Sequence, residues 1–339
     1  MSSGLGRALL LGAMVLGIVT SAPAHAESIK IGISKLLSYP AVPIAIARGY
    51  FKEQGLDAEM VYFDSAQPIA VGVASGSVDF GVAGVSAGFF ALAGQGQLRL
   101  IASSGLELPG FYNLGYLVSN KAYEAGLKSL KDAPGHSLAV TQVGTALHYS
   151  LGLLAEKYGF DIKSVEVRPL QSNSNVIAAL TGGQVDMGIM PATPTLAPLE
   201  RGDFKRLGWV SDVAPGSTGS LVFTSTKSTN ERADIVKRFL VAYRKATHDF
   251  HDAFATSDDK RKDGPTAPAL LAILAEFTGV PADKIDPAMP YVDAQGRLSA
   301  ADIVHQVQWY QSQGMLKPDI KADDLIDTRY AIALPKPKG

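Results

Sequence analysis

The 339-residue sequence has no cysteine. That removes disulfides, zinc–thiolate sites, iron–sulfur clusters and thiol nucleophiles together. It also lacks an excess of either charge, with 31 basic against 32 acidic side chains. So even a balance gives neither the basic footprint of a nucleic-acid binder nor a polybasic membrane patch. Beyond residue 26, no apolar run reaches the roughly 18 residues that a membrane span needs. The longest candidate, residues 81–94, is rich in Gly and Ala and reads as strand–turn–helix. Stability must therefore come from an apolar core, for which the 47% hydrophobic content suffices. The length makes two domains the default expectation.

What is present begins at the N-terminus. Arg7 supplies a positive charge, residues 8–20 are apolar, and Ala24-His25-Ala26 has the small-x-small pattern of a cleavage site. This predicts a secretory signal peptide over residues 1–26, cut after Ala26. No Cys follows the cut, so no lipid anchor is expected. The mature protein is expected to be soluble and periplasmic.

Residues 28–34 alternate apolar and polar, as a strand does, and residues 43–54 have helical spacing closed by Gly55. A strand over 56–63, a helix over 66–75 ended by Gly76, and a strand over 78–83 follow. This alternation predicts a mainly parallel sheet. The chain also repeats itself. Gly76-Ser-Val-Asp-Phe-Gly81 returns as Gly183-Gln-Val-Asp-Met-Gly188, offset by 107 residues, with a helix before each copy and a basic strand after it. Two copies of one α/β unit imply two similar lobes. We place lobe I at residues 27–117 plus 221–339 and lobe II at 118–220, so two crossings form a hinge. Asp79 and Asp186, at strand–loop junctions, are expected to bond backbone amides.

Three stretches carry a family resemblance: Ile44-Ala-Ile-Ala-Arg-Gly-Tyr-Phe-Lys-Glu-Gln-Gly-Leu-Asp57, residues 74–84, and Val143-Gly-Thr-Ala-Leu-His-Tyr-Ser150. The ending Asp324-Leu-Ile-Asp327 with Tyr330 fits as well. Together they resemble the nitrate/sulfonate/taurine-binding family of ABC-transporter periplasmic proteins, the third stretch being most like the taurine branch. The resemblance implies an α/β, type II periplasmic-binding fold, two lobes joined by a two-strand hinge. It implies no cofactor, a small-molecule ligand, and a membrane permease and ATPase as partners. The family takes nitrate, aliphatic and aromatic sulfonates, aromatic carboxylates and pyrimidines, so the ligand stays open between a small organic anion and a neutral pyrimidine. A monomer that binds no nucleic acid is expected. The family fold is shared with the eukaryotic enzyme that makes the thiamine pyrimidine, but that enzyme's Cys-rich iron-binding motif has no counterpart here.

In open parallel sheets, ligands bind beyond the carboxyl ends of the strands, where helix N-termini offer free N–H groups. That rule selects Ser38, Tyr39, Ser65, Gln67 and Ser86 in lobe I. In lobe II it selects Gly144, Thr145, Asn173 and Thr193. His148 is added because the family-like stretch carries it. Adding 107 takes Ser86 to Thr193 and Ser65 to Ser172, so these hydroxyls are expected to face one another across the cleft. No arginine occurs in these loops, and Lys35 is the one cation beside the first strand. Phe111 and Tyr112, near the hinge, are candidates to line an aromatic pocket. One enzyme reading competes. Gly84-Val-Ser-Ala-Gly88 matches a hydrolase nucleophile elbow and would make Ser86 a catalytic serine if His and Asp partners lay within reach. The loop with Thr193, flanked by Pro191 and Pro194, does not repeat that motif, whereas a duplicated polar pocket accounts for both loops. His248 and His251 with Asp252 have metal-compatible spacing but read as a solvated helix face.

Overall fold

The computed structural model describes residues 26–335. Nearly all of the predicted signal peptide lies outside the described residues. The chain opens with β1 (Glu27–Ile33), α1 (Ala41–Ala47), β2 (Leu56–Tyr62), α2 (Ala66–Ser75), β3 (Phe80–Ala83), α3 (Ala87–Gly94) and β4 (Leu98–Leu106). A second set follows: β5 (Leu114–Ser119), β6 (Ser137–Val140), α4 (Ala146–Tyr158), β7 (Glu166–Pro169), α5 (Asn173–Thr181), β8 (Met187–Pro191) and β9 (Phe204–Trp209). The chain then returns through β10 (Thr218–Ser225), α6 (Ala233–Phe254), α7 (Ala267–Thr278) and α8 (Ala300–Ser312).

Two five-stranded sheets result, in the orders β2-β1-β3-β10-β4 and β7-β6-β8-β5-β9. They are less parallel than the sequence suggests. Strand β10 pairs antiparallel with β3 and β4, and β5 does so with β8 and β9. The reason is topological: each inserted strand enters its sheet from the other lobe, against the direction of the crossovers. Strand β5 starts at Leu114 and lies wholly in the second sheet, and β10 starts at Thr218 in the first. The chain therefore passes between sheets over residues 107–113 and 210–217, a few residues before each boundary expected at 117/118 and 220/221. The two passages touch, with Gly216 N–H donating to the Glu107 carbonyl (2.7 Å) and Glu107 N–H to the Ser217 carbonyl (2.8 Å).

The repeat is a repeat of register. Ile31 pairs with Met60 and Phe80; 107 residues on, Leu138 pairs with Val167 and Met187. Asp79 Oδ2 accepts from Lys30 N–H at 2.8 Å, and Asp186 Oδ2 accepts from Ser137 N–H at 2.8 Å. Both carboxylates thus tie the third strand of a lobe to its first, as expected for backbone ligands at strand ends. The first glycine of each copy adopts positive φ, +80° at Gly76 and +62° at Gly183, and so ends its helix. Burial follows the strand pattern: Ile29, Ile31 and Ile33 are fully buried against α1, α6 and α7, each contributing about 1.5–3 kcal/mol. The helix read over residues 43–54 is broken. Gly49 takes φ +74° between α1 and a one-turn helix at Tyr50–Glu53, because glycine tolerates the left-handed turn that ends α1.

Candidate functional site

A cavity of about 70 Å3 lies between the two sheets, at the carboxyl ends of their parallel strands. About 10–15 Å3 suffices for one water, so there is room for a small solute. Lobe I contributes Ser34, Leu36, Ser38, Tyr39, Asp64, Ser65, Ala66 and Gly84. Lobe II and the inserted strands contribute Asn113, Leu114, Thr141, Thr145, Ala146, Leu147, Asn173, Pro191 and Gly219. Five pairs in this lining are related by the 107-residue offset: Ser34 with Thr141, Ser38 with Thr145, Tyr39 with Ala146, Ala66 with Asn173, and Gly84 with Pro191. The duplicated unit thus builds both walls from the same positions.

Of the ten site residues expected from sequence, five line this cavity: Ser38, Tyr39, Ser65, Thr145 and Asn173. Tyr39 is buried, and burial pushes its hydroxyl up to about 12, so it stays protonated. Its oxygen accepts from Gly84 N–H at 3.3 Å, which leaves the O–H to donate. Ser34 and Thr141, which sequence reasoning missed, are buried at equivalent strand ends. Neither hydroxyl has a hydrogen-bond partner among the described residues. The N-termini of α2 and α4 also reach the cavity, and neither Ser65 nor Thr145 caps its helix through its side chain. Their first-turn N–H groups are therefore available to a ligand. No Lys, Arg or His among the described residues lines the cavity; Lys35 instead lies over the Tyr62 ring at 4.6 Å.

The other five residues sit behind or beside the wall. Ser86 Oγ donates to Gln67 Oε1 (2.6 Å) and accepts from Phe89 N–H (3.1 Å), so both it and Gln67 are committed to the start of α3. Ala87 N–H donates to the Gly144 carbonyl at 2.8 Å, joining the Ser86 loop to lobe II. Thr193 Oγ1 accepts from Leu37 N–H at 3.0 Å, joining lobe II to lobe I. The offset also relates Leu37 to Gly144 and Ser86 to Thr193. The pair expected to grip the ligand is thus used up. The Ser86 hydroxyl bonds within its own lobe, and the Thr193 hydroxyl accepts an N–H of the opposite lobe, so that with the Ala87–Gly144 backbone bond two repeat-related pairs of loops are joined by different bonds. We predict that Thr193→Val weakens ligand affinity about fivefold or more by calorimetry, since closing would bury the Leu37 N–H without an acceptor. The melting temperature of the unliganded protein should barely move, because an open cleft hydrates that group.

His148 packs edge-on against Trp309 (5.2 Å between ring centres), and its Nδ1 accepts from Gly144 N–H at 3.1 Å. Burial lowers it to about 4, so it is neutral at pH 7 and holds the Gly144 loop instead of meeting an anion. Phe111 and Tyr112 do not line the cavity either. Phe111 packs on Tyr291 (5.2 Å) and Tyr112 stacks on Trp209 (4.7 Å), which draws both into the hinge.

The hydrolase motif loses its basis in the same geometry. Ser86 has relaxed extended backbone (φ −140°, ψ 166°), not the strained turn of an elbow. Its side-chain partners are Gln67 and the Phe89 amide, and neither is a base. Gly88 is explained by Gln67, whose Nε2 would lie 2.5 Å from an added Cβ. Among the described residues, no cluster of His and acidic side chains could hold a metal. His248 is exposed and pairs with Asp252 on its own helix. His251 departs from the solvated face expected of it: it is largely buried, packs edge-on against Tyr291 and meets Asp259 beyond the helix end.

Comparison with known proteins follows the same line. The family described as NMT1/THI5 like matches residues 41–253. A Brucella abortus protein described as a binding protein is 27% identical over 236 residues, covering 68% of this chain and 69% of its own length. The alkanesulfonate-binding protein of Xanthomonas axonopodis pv. citri, solved bound to MOPS, superposes with TM-score 0.69 at 18% identity, over 88% of this chain and 98% of its own. The aliphatic sulphonate-binding protein of Escherichia coli gives TM-score 0.69 at 18% identity, over 91% and 94%. The nitrate-binding protein of Synechocystis PCC 6803 gives 0.68 at 14%, over 87% and 83%. The fold is that of the periplasmic binding proteins.

Proposed function

Since the chain belongs to the NMT1/THI5-like family, we propose that it captures a small solute between its lobes and delivers it to an ABC importer. The observation that carries this reading is the cavity itself, built from equivalent positions of two lobes and bridged by interlobe hydrogen bonds at repeat-related loops. A site that encloses its ligand by lobe closure suits capture and release. The export pattern of the first 26 residues supports a periplasmic location, with a permease and an ATPase as partners and the protein acting as a monomer.

For the ligand, we favour a small organic anion: a sulfonate, a taurine-like compound or an aromatic carboxylate. The uncapped N-termini of α2 and α4 support it, since free N–H groups and the helix dipole attract negative charge. A neutral pyrimidine-type ligand is the second reading, favoured by the lack of cationic side chains in the described lining. Thermal-shift screening of the purified protein tests both, with alkanesulfonates, taurine, nitrate, benzoate and phthalate isomers, and pyrimidines. A ligand at a hundredfold excess over its Kd should stabilise the protein by about 2.7 kcal/mol. A flat response to the whole panel, together with Ser86-dependent ester hydrolysis, would overturn solute capture.

A further inference from the structure

A chain of polar groups runs from the hinge into the cavity. Glu107, the first residue of the first passage between lobes, is 1% exposed. Its Oε1 accepts from Asn113 Nδ2 at 2.7 Å, and Asn113 Oδ1 accepts from Ser38 Oγ at 2.6 Å. Among the described residues Glu107 Oε2 has no partner, and the Asn113 amide is the one side chain bonded to that carboxyl. Ionised, the carboxyl can only accept, which fixes the Asn113 amide with Nδ2 toward Oε1 and Oδ1 toward the Ser38 hydroxyl; protonated, it can also donate, as a glutamine amide can. Gly219 leaves space for the arrangement; a Cβ there would lie 2.5 Å from Asn113 Nδ2 and 3.0 Å from Glu107 Oε1.

The result is a Ser38 whose proton is already spent. Thr145, its equivalent in lobe II, is in the same state, because its Oγ1 donates to the Gln142 carbonyl at 2.9 Å. Both hydroxyls line the cavity, and each can offer it only lone pairs. Tyr39 and the helix N-termini supply donors elsewhere on the wall. Resting on the solute-capture reading above, we infer that Glu107 is a positioning residue for specificity: through Asn113 it makes Ser38 an acceptor, so the preferred ligand is an acid that also carries an N–H donor, such as an amino-sulfonate or amino-carboxylate.

The test uses matched pairs that differ by one amino group: taurine against ethanesulfonate, β-alanine against propionate, and 4-aminobenzoate against benzoate. Calorimetry on the mature protein at about pH 9, where the Glu107 carboxyl is ionised, should show the amino member of at least one pair bound about tenfold or more tightly, the range expected when its absence leaves buried acceptors unpaired. Glu107→Gln presents Asn113 with a donor as readily as an acceptor, so the amide can turn over and free the Ser38 proton. The preference should fall to within about threefold, with affinity for the amino-free member held or raised. Loss of packing alone would weaken both members together. Ser38→Ala removes the acceptor directly and should likewise bring the amino preference to within about threefold, whatever it does to the affinity for both members, which keeps the test decisive if Glu107→Gln folds poorly. Equal binding of all pairs by the wild type, or undiminished preference in the variants, overturns the inference and leaves solute capture standing. If the wild type binds no member of any pair, the anionic ligand class falls with it.

Discussion

Replacing Ala146 by tryptophan should abolish solute binding while both lobes remain folded. Ala146 sits in the first turn of α4 and lines the cavity opposite its repeat equivalent, Tyr39. An indole there cannot share about 70 Å3 with a ligand. In a rigid core such overpacking strains neighbouring side chains. Here the wall is also a cleft surface, so the lobes can relieve the strain by staying open. The expected loss of affinity is about a hundredfold or more, since closure and ligand contact fail together. Calorimetry should detect no binding, the ligand-induced melting shift should vanish, and the melting temperature of the unliganded protein should change by only a few degrees. Wild-type affinity in this variant would move the ligand out of the interlobe cavity.

The same cavity shows how far the sequence could be read. The offset between Gly76 and Gly183 carried the two lobes, and it holds at the level of strand register, because the motif fixes where a helix stops and where a carboxylate ties two strands. The rule that ligands lie beyond strand ends led to loops that border the interlobe cavity. Within a loop it could not rank hydroxyls. Ser86 and Thr193 attracted attention as the paired hydroxyls of equivalent loops, yet a capped helix and an opposite-lobe amide use them up. The hydroxyls left unpartnered, Ser34 and Thr141, end their strands one step earlier and carry no motif. Asn113 and Glu107 were harder still. They belong to the passage between lobes, outside the repeated strand–helix core, and their meaning depends on Gly219 from a distant part of the chain approaching both. A closed inventory of hydrogen bonds is what separates ligand contacts from interlobe bonds, and only three-dimensional packing supplies it.

Glu107 also predicts a pH signature large enough to isolate. Burial pushes its carboxyl up from 4.5 to about 8, and the N–H groups of Asn113 and Leu114 only partly offset this. An acid raised in the folded state adds most to stability when both folded and unfolded forms are protonated. Its contribution is full below pH 4.5 and drains away as pH rises through about 8. Glu107→Gln cannot ionise. The stability of that variant minus that of the wild type should therefore be constant in acid, climb from about pH 4.5, and level off above about pH 8. At 1.36 kcal/mol per unit, the climb has an upper bound of about 4–5 kcal/mol, an order-of-magnitude figure for a fully buried group. The titratable side chain beside it, Tyr116, donates to the Ser150 carbonyl and is held well above the usual tyrosine range by burial, so it stays silent in this window. Urea unfolding of both proteins without ligand, at pH 5, 7 and 9, measures the difference. A difference that stays flat from pH 5 to 9 would mean that Glu107 ionises in the folded protein as freely as in water. The hinge would then not be the dry passage that its unpartnered Oε2 describes.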